Sequence, residues 1–282
     1  MKIVADENIP LVGAFFNDIC QSNLERLPGR DMTAADLQDA DILLVRSITQ
    51  VNETLLKGTG VKFVGTCTIG TDHLDISYLK SQGIQYQNAP GCNAQAVVEY
   101  VLSSLITLGE RRQVPWQSLS VGILGVGNVG GRLFKTLKAL QVKVCAYDPN
   151  VEEFNTAQQA EDVWLQDVVT LHTPITRVGE FKTYHLVDEE RLNTMREHAC
   201  LINSCRGAVI DNHALLAHLQ SHPQFMAVID VWEQEPVPQD ELIKACMLAT
   251  PHIAGYSLDG KFLGTSMIYE AVCQFLALPI SI

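Results

Sequence analysis

The chain has 282 residues, and an ordinary domain size of about 150 residues predicts two domains. With 47% hydrophobic and 18% charged residues there is enough apolar material for a sizeable core, which rules out wholesale disorder. A net charge of −12 without any basic run would repel a phosphate backbone, so nucleic acid is not an expected partner.

Short Val- and Ile-rich runs alternate with longer helical patterns, as expected of a parallel sheet covered by helices on both faces. Candidate strands at 2–5, 42–46, 62–66 and 84–88, with a helix over 74–82 that stops at Gly83, form a first α/β unit. The turn Pro90-Gly91-Cys92-Asn93 leads into a long helix from about 94 to 108, with Asn93 placed to act as N-cap. A second series has strands at 121–125, 143–148, 168–172, 200–203, 227–230 and 247–250, six in all, enough for a dinucleotide-binding sheet. Residues 258–278 read as a final helix. No apolar run approaches the length needed to span a membrane. The opening MKIVADENIP carries Lys2, Asp6 and Glu7 and does not read as a secretory leader. The eight scattered cysteines, none in a C-x-x-C pair, are therefore expected to be reduced thiols in the cytoplasm, with no zinc site.

The sharpest local motif is Gly125-Val126-Gly127-Asn128-Val129-Gly130, which follows a candidate strand and opens a helix. Gly125 permits the tight turn, Gly127 lets a pyrophosphate approach the backbone, and Gly130 lets helix and strand pack closely. Asn128 and Val129 then supply N–H groups at the helix N-terminus, where negative charge is favoured. Asp148 ends the next strand 18 residues after Gly130, where its carboxylate can accept from the adenosine ribose hydroxyls. A 2′-phosphate there would meet like charge, with no Arg among the next residues to compensate, so NAD is expected over NADP.

Oxidising an alcohol with NAD requires a base for the hydroxyl proton. Three late strands end in polar segments, 203–207, 230–236 and 251–255, and carboxyl ends of strands line the ligand crevice of an open α/β sheet. From these, His252 is the candidate base, Glu235 the carboxylate that fixes its tautomer, and Arg206 the group that holds a substrate carboxylate and polarises the developing carbonyl. Asp230, deeper in its strand, is expected near the nicotinamide end. His213, His218 and His222 read as a solvated helix face rather than a metal site, and Trp116 and Trp164 as packing at domain surfaces. Cys205, beside Arg206, is a candidate for a lowered thiol pKa, although the reaction needs no nucleophile.

Across its whole length the chain resembles the D-isomer-specific 2-hydroxy acid dehydrogenase family. The resemblance is carried by Ala5-Asp6-Glu7-Asn8-Ile9-Pro10, Pro90-Gly91-Cys92-Asn93-Ala94, Ala96-Val97-Val98-Glu99-Tyr100-Val101, Cys205-Arg206-Gly207-Ala208-Val209-Ile210-Asp211-Asn212 and His252-Ile253-Ala254-Gly255-Tyr256. It implies two doubly wound parallel-sheet domains with a cleft between them. A flavodoxin-like substrate domain would comprise 1–93 and 254–282, with a Rossmann NAD domain inserted at 94–253 and hinges near Asn93 and Ala254. It implies oxidation of 4-phospho-D-erythronate at C2 to 2-oxo-3-hydroxy-4-phosphobutanoate on the way to pyridoxal 5′-phosphate. It also implies the same roles for Arg206, Glu235 and His252, NAD contacts at Asp148, Thr173, Asp230 and Gly255, and substrate contacts at Ser47, Thr68 and Tyr256. Arg46 reads equally well as added positive charge for the phosphate or as a strand-end surface arginine. Family members of this kind continue into a C-terminal dimerisation domain that is not expected after Leu278-Pro279-Ile280-Ser281-Ile282, which leaves a homodimer open. Two alternatives stand beside this reading: a dehydrogenase of another phosphorylated D-2-hydroxy acid such as 3-phosphoglycerate, and a non-catalytic NAD-sensing binding protein.

Overall fold

The computed structural model describes residues 1–280, so the last two residues of the expected returning segment lie outside the described residues. The chain forms two compact units, one from Met1–Asn93 together with the segment that starts at Ser257, the other from Ala94–Tyr256.

The first unit is a five-stranded parallel sheet in the order β2-β1-β3-β4-β5, with β1 Ile3–Asp6, β2 Leu24–Leu27, β3 Ile42–Val45, β4 Phe63–Thr66 and β5 Gln85–Gln87. Successive side chains point to opposite faces, so both faces of β1 and β3 carry apolar groups. Ile3, Ala5, Ile42, Leu44 and Phe63 pack with Val12, Phe16, Ile268, Tyr269 and Val272. Val4, Leu43, Val45 and Val64 pack with Leu37, Leu55 and Leu79 on the other face. The helix Leu258–Phe275 thus completes a core begun more than 250 residues earlier. The sequence does not predict β2: its LERL carries two charges and lies partly exposed at the sheet edge, so it lacks the apolar run that marks the central strands.

The second unit is a six-stranded parallel sheet ordered β11-β10-β9-β8-β6-β7, with β6 Val121–Leu124, β7 Val144–Tyr147, β8 Val168–Leu171, β9 Cys200–Asn203, β10 Met226–Ile229 and β11 Leu248–Ala249. The order reverses at β6, which makes the carboxyl end of β6 the switch point where such sheets bind ligands. Register aligns that edge, because Leu124 pairs with Leu171, Leu171 with Asn203, Asn203 with Ile229 and Ile229 with Ala249. The residues that follow each strand therefore leave the sheet side by side.

Several side chains depart from the sequence reading. The helix Ala94–Arg112 does begin after Asn93, but Asn93 Oδ1 is buried without a hydrogen bond and does not cap it. His218 is buried, stacked on His222 at 4.0 Å and edge-on to Phe225 at 4.7 Å, so the helix Asn212–Ser221 does not present all three histidines to solvent. Trp164 belongs to a core, with the Arg191 guanidinium 4.7 Å from its ring centroid. No described helix is long and apolar enough to cross a membrane.

Candidate active site

The glycine loop turns sharply at Gly125, whose φ of +86° lies in the left-handed region that glycine occupies at no steric cost. The helix Asn128–Ala139 starts at once, with Gly127 as N-cap and no side chain satisfying the first N–H groups. Gly130 allows the close approach, since a Cβ there would stand 1.9 Å from Gly125 O. Around Gly127 nothing lies within 4 Å of such a Cβ, so the loop presents open space above free helix N–H groups. Asp148, at the end of β7, accepts from Val126 N at 2.8 Å through Oδ2 and from Asn150 N at 2.9 Å through Oδ1. Each oxygen keeps a second lone pair for a ribose hydroxyl. Two buried hydroxyls on the neighbouring loops, Thr173 Oγ1 after β8 and Ser204 Oγ after β9, make no hydrogen bond of ordinary geometry. A cradle of this kind, with unsatisfied N–H groups, orphaned hydroxyls and a carboxylate that keeps free lone pairs on one sheet edge, fits a dinucleotide.

Beside it stand the three residues singled out for proton and hydride chemistry. Glu235 Oε2 lies 2.9 Å from His252 Nδ1, and Glu235 Oε1 accepts from Trp232 N at 2.8 Å. His252 Nε2 makes no hydrogen bond among the described residues. With the Nδ1 proton donated to Glu235, Nε2 is left as the acceptor of a substrate proton. The hydrogen bond from Glu235 raises the His252 pKa above its ordinary value; burial opposes this, Asp230 adds to it and Arg206 opposes it. For Glu235, burial acts upward, but the hydrogen bonds from His252 and Trp232 N–H win and its pKa is lowered. His252 itself sits at φ 58°, a left-handed conformation uncommon for residues other than glycine and one that recurs at functional sites held by their surroundings.

Asp230 is what holds that turn. Its Oδ1 accepts from Thr250 Oγ1 at 2.6 Å and Ile253 N at 2.8 Å, and its Oδ2 from Ala254 N at 2.9 Å. Tyr100 OH reaches the same Thr250 hydroxyl at 2.7 Å, and Trp232 Nε1 donates to Thr250 O at 3.0 Å. Asp230 is 1% exposed, so its carboxylate is spent on the backbone of the His252 turn. Arg206, half-buried, donates from Nη1 to Cys205 O at 2.8 Å and lies close enough to act on both Glu235 and His252. Cys205, expected to have a lowered thiol pKa, has instead a raised one, because burial outweighs the neighbouring N–H groups and Arg206. Gly255 is half-buried and Tyr256 is 70% exposed, its N–H bonded to Ile253 O at 2.8 Å.

In the first unit, Ser47 and Thr68 follow β3 and β4 at the carboxyl edge of that sheet. Thr68 Oγ1 is 2.8 Å from Thr66 Oγ1, which is 3.0 Å from His73 Nε2. Arg46 Nε lies 3.1 Å from the fully buried Asp6 Oδ2, an ion pair poorly aligned for a hydrogen bond. Arg46 is therefore held through its guanidinium Nε against Asp6, and is not a free surface arginine. Sequence reasoning missed the orphaned Ser204 hydroxyl, the Tyr100–Thr250 link and the contact between His185 and Glu233, none of which follows from spacing along the chain.

Comparison with known proteins places these features. The family model described as D-isomer specific 2-hydroxyacid dehydrogenase, NAD binding domain, matches residues 107–254. A curated erythronate-4-phosphate dehydrogenase of Pseudomonas fluorescens (strain Pf0-1) is 51% identical over 285 residues, covering 100% of this chain and 74% of its own. One from Marinobacter nauticus is 51% identical over 286 residues, covering 99% of this chain and 74% of its own. Among solved structures, NAD+-bound 3-phosphoglycerate dehydrogenase of Entamoeba histolytica is similar at a TM-score of 0.83 with 21% identity, covering 98% of this chain and 95% of that one. The TT0316 protein of Thermus thermophilus has the same TM-score of 0.83 with 22% identity, covering 99% of this chain and 98% of that one. These two likenesses concern the fold alone.

Proposed function

This chain belongs to the D-isomer specific 2-hydroxyacid dehydrogenase family and is an NAD-dependent dehydrogenase, and from that premise we propose that it oxidises 4-phospho-D-erythronate at C2. The product is 2-oxo-3-hydroxy-4-phosphobutanoate, a step toward pyridoxal 5′-phosphate. The names of the relatives at about half identity support the substrate, and the Glu235–His252 pair beside Arg206 is the observation that carries the reaction.

When bound, NAD would supply the acceptor for the hydride released from C2. Gly125, Gly127, Asn128, Val129 and Gly130 would hold its pyrophosphate, and Asp148 its ribose, with Thr173, Asp230 and Gly255 toward the nicotinamide side. Arg206 holds the substrate carboxylate through parallel N–H bonds and draws electron density toward the developing carbonyl. His252 Nε2 removes the C2 hydroxyl proton, and Glu235, bonded to Nδ1, stabilises the imidazolium so formed. In the reverse direction the same proton returns to the carbonyl oxygen. We assign substrate binding to the first unit, through Ser47 and Thr68, and to Tyr256, with Arg46, ion-paired to Asp6, offering its terminal guanidinium N–H groups to the phosphate. The cytoplasm is the proposed compartment, supported by eight free thiols.

The test is NADH formation by the purified protein given 4-phospho-D-erythronate or 3-phosphoglycerate. A higher kcat/KM for 4-phospho-D-erythronate supports the assignment. Preference for 3-phosphoglycerate would overturn the substrate, and no turnover of either, with NAD still bound, would overturn the reaction.

A further inference from the structure

Two loops leave adjacent strands beside the Glu235–His252 pair, one after β9 carrying Arg206 and one after β10 carrying Glu235, while His252 follows β11. The loops touch where Gly207 lies against Trp232 and Glu233: a Cβ on Gly207 would stand 2.0 Å from Trp232 C. A third segment runs beside the first loop through an isolated parallel bridge, Val187 with Ile210, with His185 N donating to Ala208 O at 2.9 Å, Val187 N to Val209 O at 3.1 Å and Asp211 N to Val187 O at 2.9 Å. From that segment the His185 side chain crosses to the second loop. Its Nε2 lies 2.6 Å from Glu233 Oε1, and its Nδ1 3.7 Å from Asp211 Oδ2. Glu233 answers on its other side, exchanging two long contacts of 3.4 Å with Asn212, from Asn212 N to Oε2 and from Glu233 N to Asn212 Oδ1.

Nothing in the proton or hydride chemistry uses His185. Yet it adopts φ 50°, a left-handed backbone that a histidine takes at a cost, and its ring is pinned by stacking on Tyr184 at 4.0 Å, itself covered by the Arg177 guanidinium at 4.2 Å. Glu233 follows Trp232, whose N–H holds Glu235 Oε1, and stands two residues before Glu235 on the same turn. We infer that His185 is a positioning residue that, through Glu233, ties the Arg206 loop to the Glu235 loop and so keeps Glu235 against His252. The inference rests on the reaction proposed above for its kinetic consequence, but not for its structural one.

The experiment compares His185→Ala, Glu233→Ala, the double variant and Glu233→Gln, whose amide oxygen still accepts from His185. Each is assayed for kcat, for KM toward 4-phospho-D-erythronate and for NADH affinity. The imidazole C2 proton of His252 is also titrated by NMR without substrate, its resonance identified by its loss in His252→Asn. The groups facing His252 are Glu235, Asp230 and Arg206, so a loosened Glu235 has one direction to act: the His252 titration moves down toward the ordinary imidazole range. Each alanine variant is expected to lose about tenfold in kcat, because small misplacements of a catalytic group are costly. KM and NADH affinity should stay within about twofold, the double variant should be no worse than either single one, and Glu233→Gln should recover most of the rate. A His252 titration that overlays wild type in both alanine variants, or losses that multiply in the double one, would overturn the inference. Should His185→Ala not fold, the Glu233 pair carries the same measurements. Inactive wild-type protein sinks the reaction assigned, while the NMR titration still decides the tie between the loops.

Discussion

Gly127 and Gly130 sit three residues apart in one loop, and the structure separates what each does. At Gly130, an alanine methyl would meet Gly125 O at 1.9 Å, so the helix Asn128–Ala139 must retreat by about 1.5 Å to reach ordinary contact. Overpacking of that kind costs about 1–3 kcal/mol, and in a unit of this size each kcal/mol lowers the melting temperature by about 2–4 °C. Gly130→Ala should therefore melt lower without any ligand, by roughly 5 °C. At Gly127, φ is −74° and no atom lies within 4 Å of the added methyl, so the protein alone should not notice Gly127→Ala. The methyl does occupy the approach to the free N–H groups of the helix. Losing one or two charge-assisted bonds to the pyrophosphate, at about 1.5–3 kcal/mol each, weakens NAD by about tenfold to a hundredfold or more. Melting with and without NAD reads both effects, because a ligand at a hundred times its Kd adds about 2.7 kcal/mol to the folded state. Wild type gains that increment, and Gly127→Ala should start at the same melting temperature and gain about half of it or less. A Gly127→Ala protein that melts low without NAD but binds it normally would refute the assignment of this loop as the pyrophosphate cradle.

His252→Asn should lower kcat by about a hundredfold to ten-thousandfold, the range proton transfer supplies, with NADH affinity within about twofold; equal turnover would remove His252 as the base. The oxidation rate should rise with pH through a His252 pKa held above the ordinary imidazole value by Glu235, and Glu235→Gln should shift that limb downward because burial then dominates; a pH–rate profile checks both. The same raised pKa means that the bond stabilises the fold fully below the ordinary imidazole value and less as pH climbs through the folded-state value. Asp167 behaves oppositely: burial acts upward, but Ser120 N–H, the Ser120 hydroxyl and Arg196 together bring its pKa down from 3.8 to about 2. Its contribution is present above pH 3.8 and disappears as pH falls through about 2, so Asp167→Asn should cost about 2 kcal/mol at neutral pH in denaturant unfolding and far less in strong acid.

The strands that build both sheets were legible where they are buried on both faces, as at 42–45 and 121–124, because an unbroken apolar run has no other place to go. Leu24–Leu27 escaped because an edge strand can carry Glu25 and Arg26 toward water. The glycine loop was legible since its residues are contiguous and each answers a local steric demand. Asn93 misled, because a residue type that favours capping does not fix where its side chain turns, and its Oδ1 is buried instead. The i, i+4 spacing of His218 and His222 gave no warning that Phe225 folds back over one of them. The meeting of His185 with Glu233, 48 residues apart, depends on two loop paths and the register of β9 with β10, which no local pattern encodes.

The division of the first unit between the two ends of the chain sets the order in which the molecule can be made. When Asn93 leaves the ribosome, Ile3, Ala5, Ile42, Leu44 and Phe63 have only the early residues such as Val12 and Phe16 against one face, because Ile268, Tyr269 and Val272 are still unmade. The second unit is continuous and can fold as it emerges. At about 5–20 residues per second its synthesis takes roughly ten to thirty seconds, during which one face of the first sheet waits only partly covered. The nascent chain is thus most exposed to aggregation, and most dependent on chaperones, in the interval when its cofactor domain is already forming. Substitutions in Leu258–Phe275 should accordingly reduce the yield of folded protein in cells more than their effect on equilibrium stability alone would indicate.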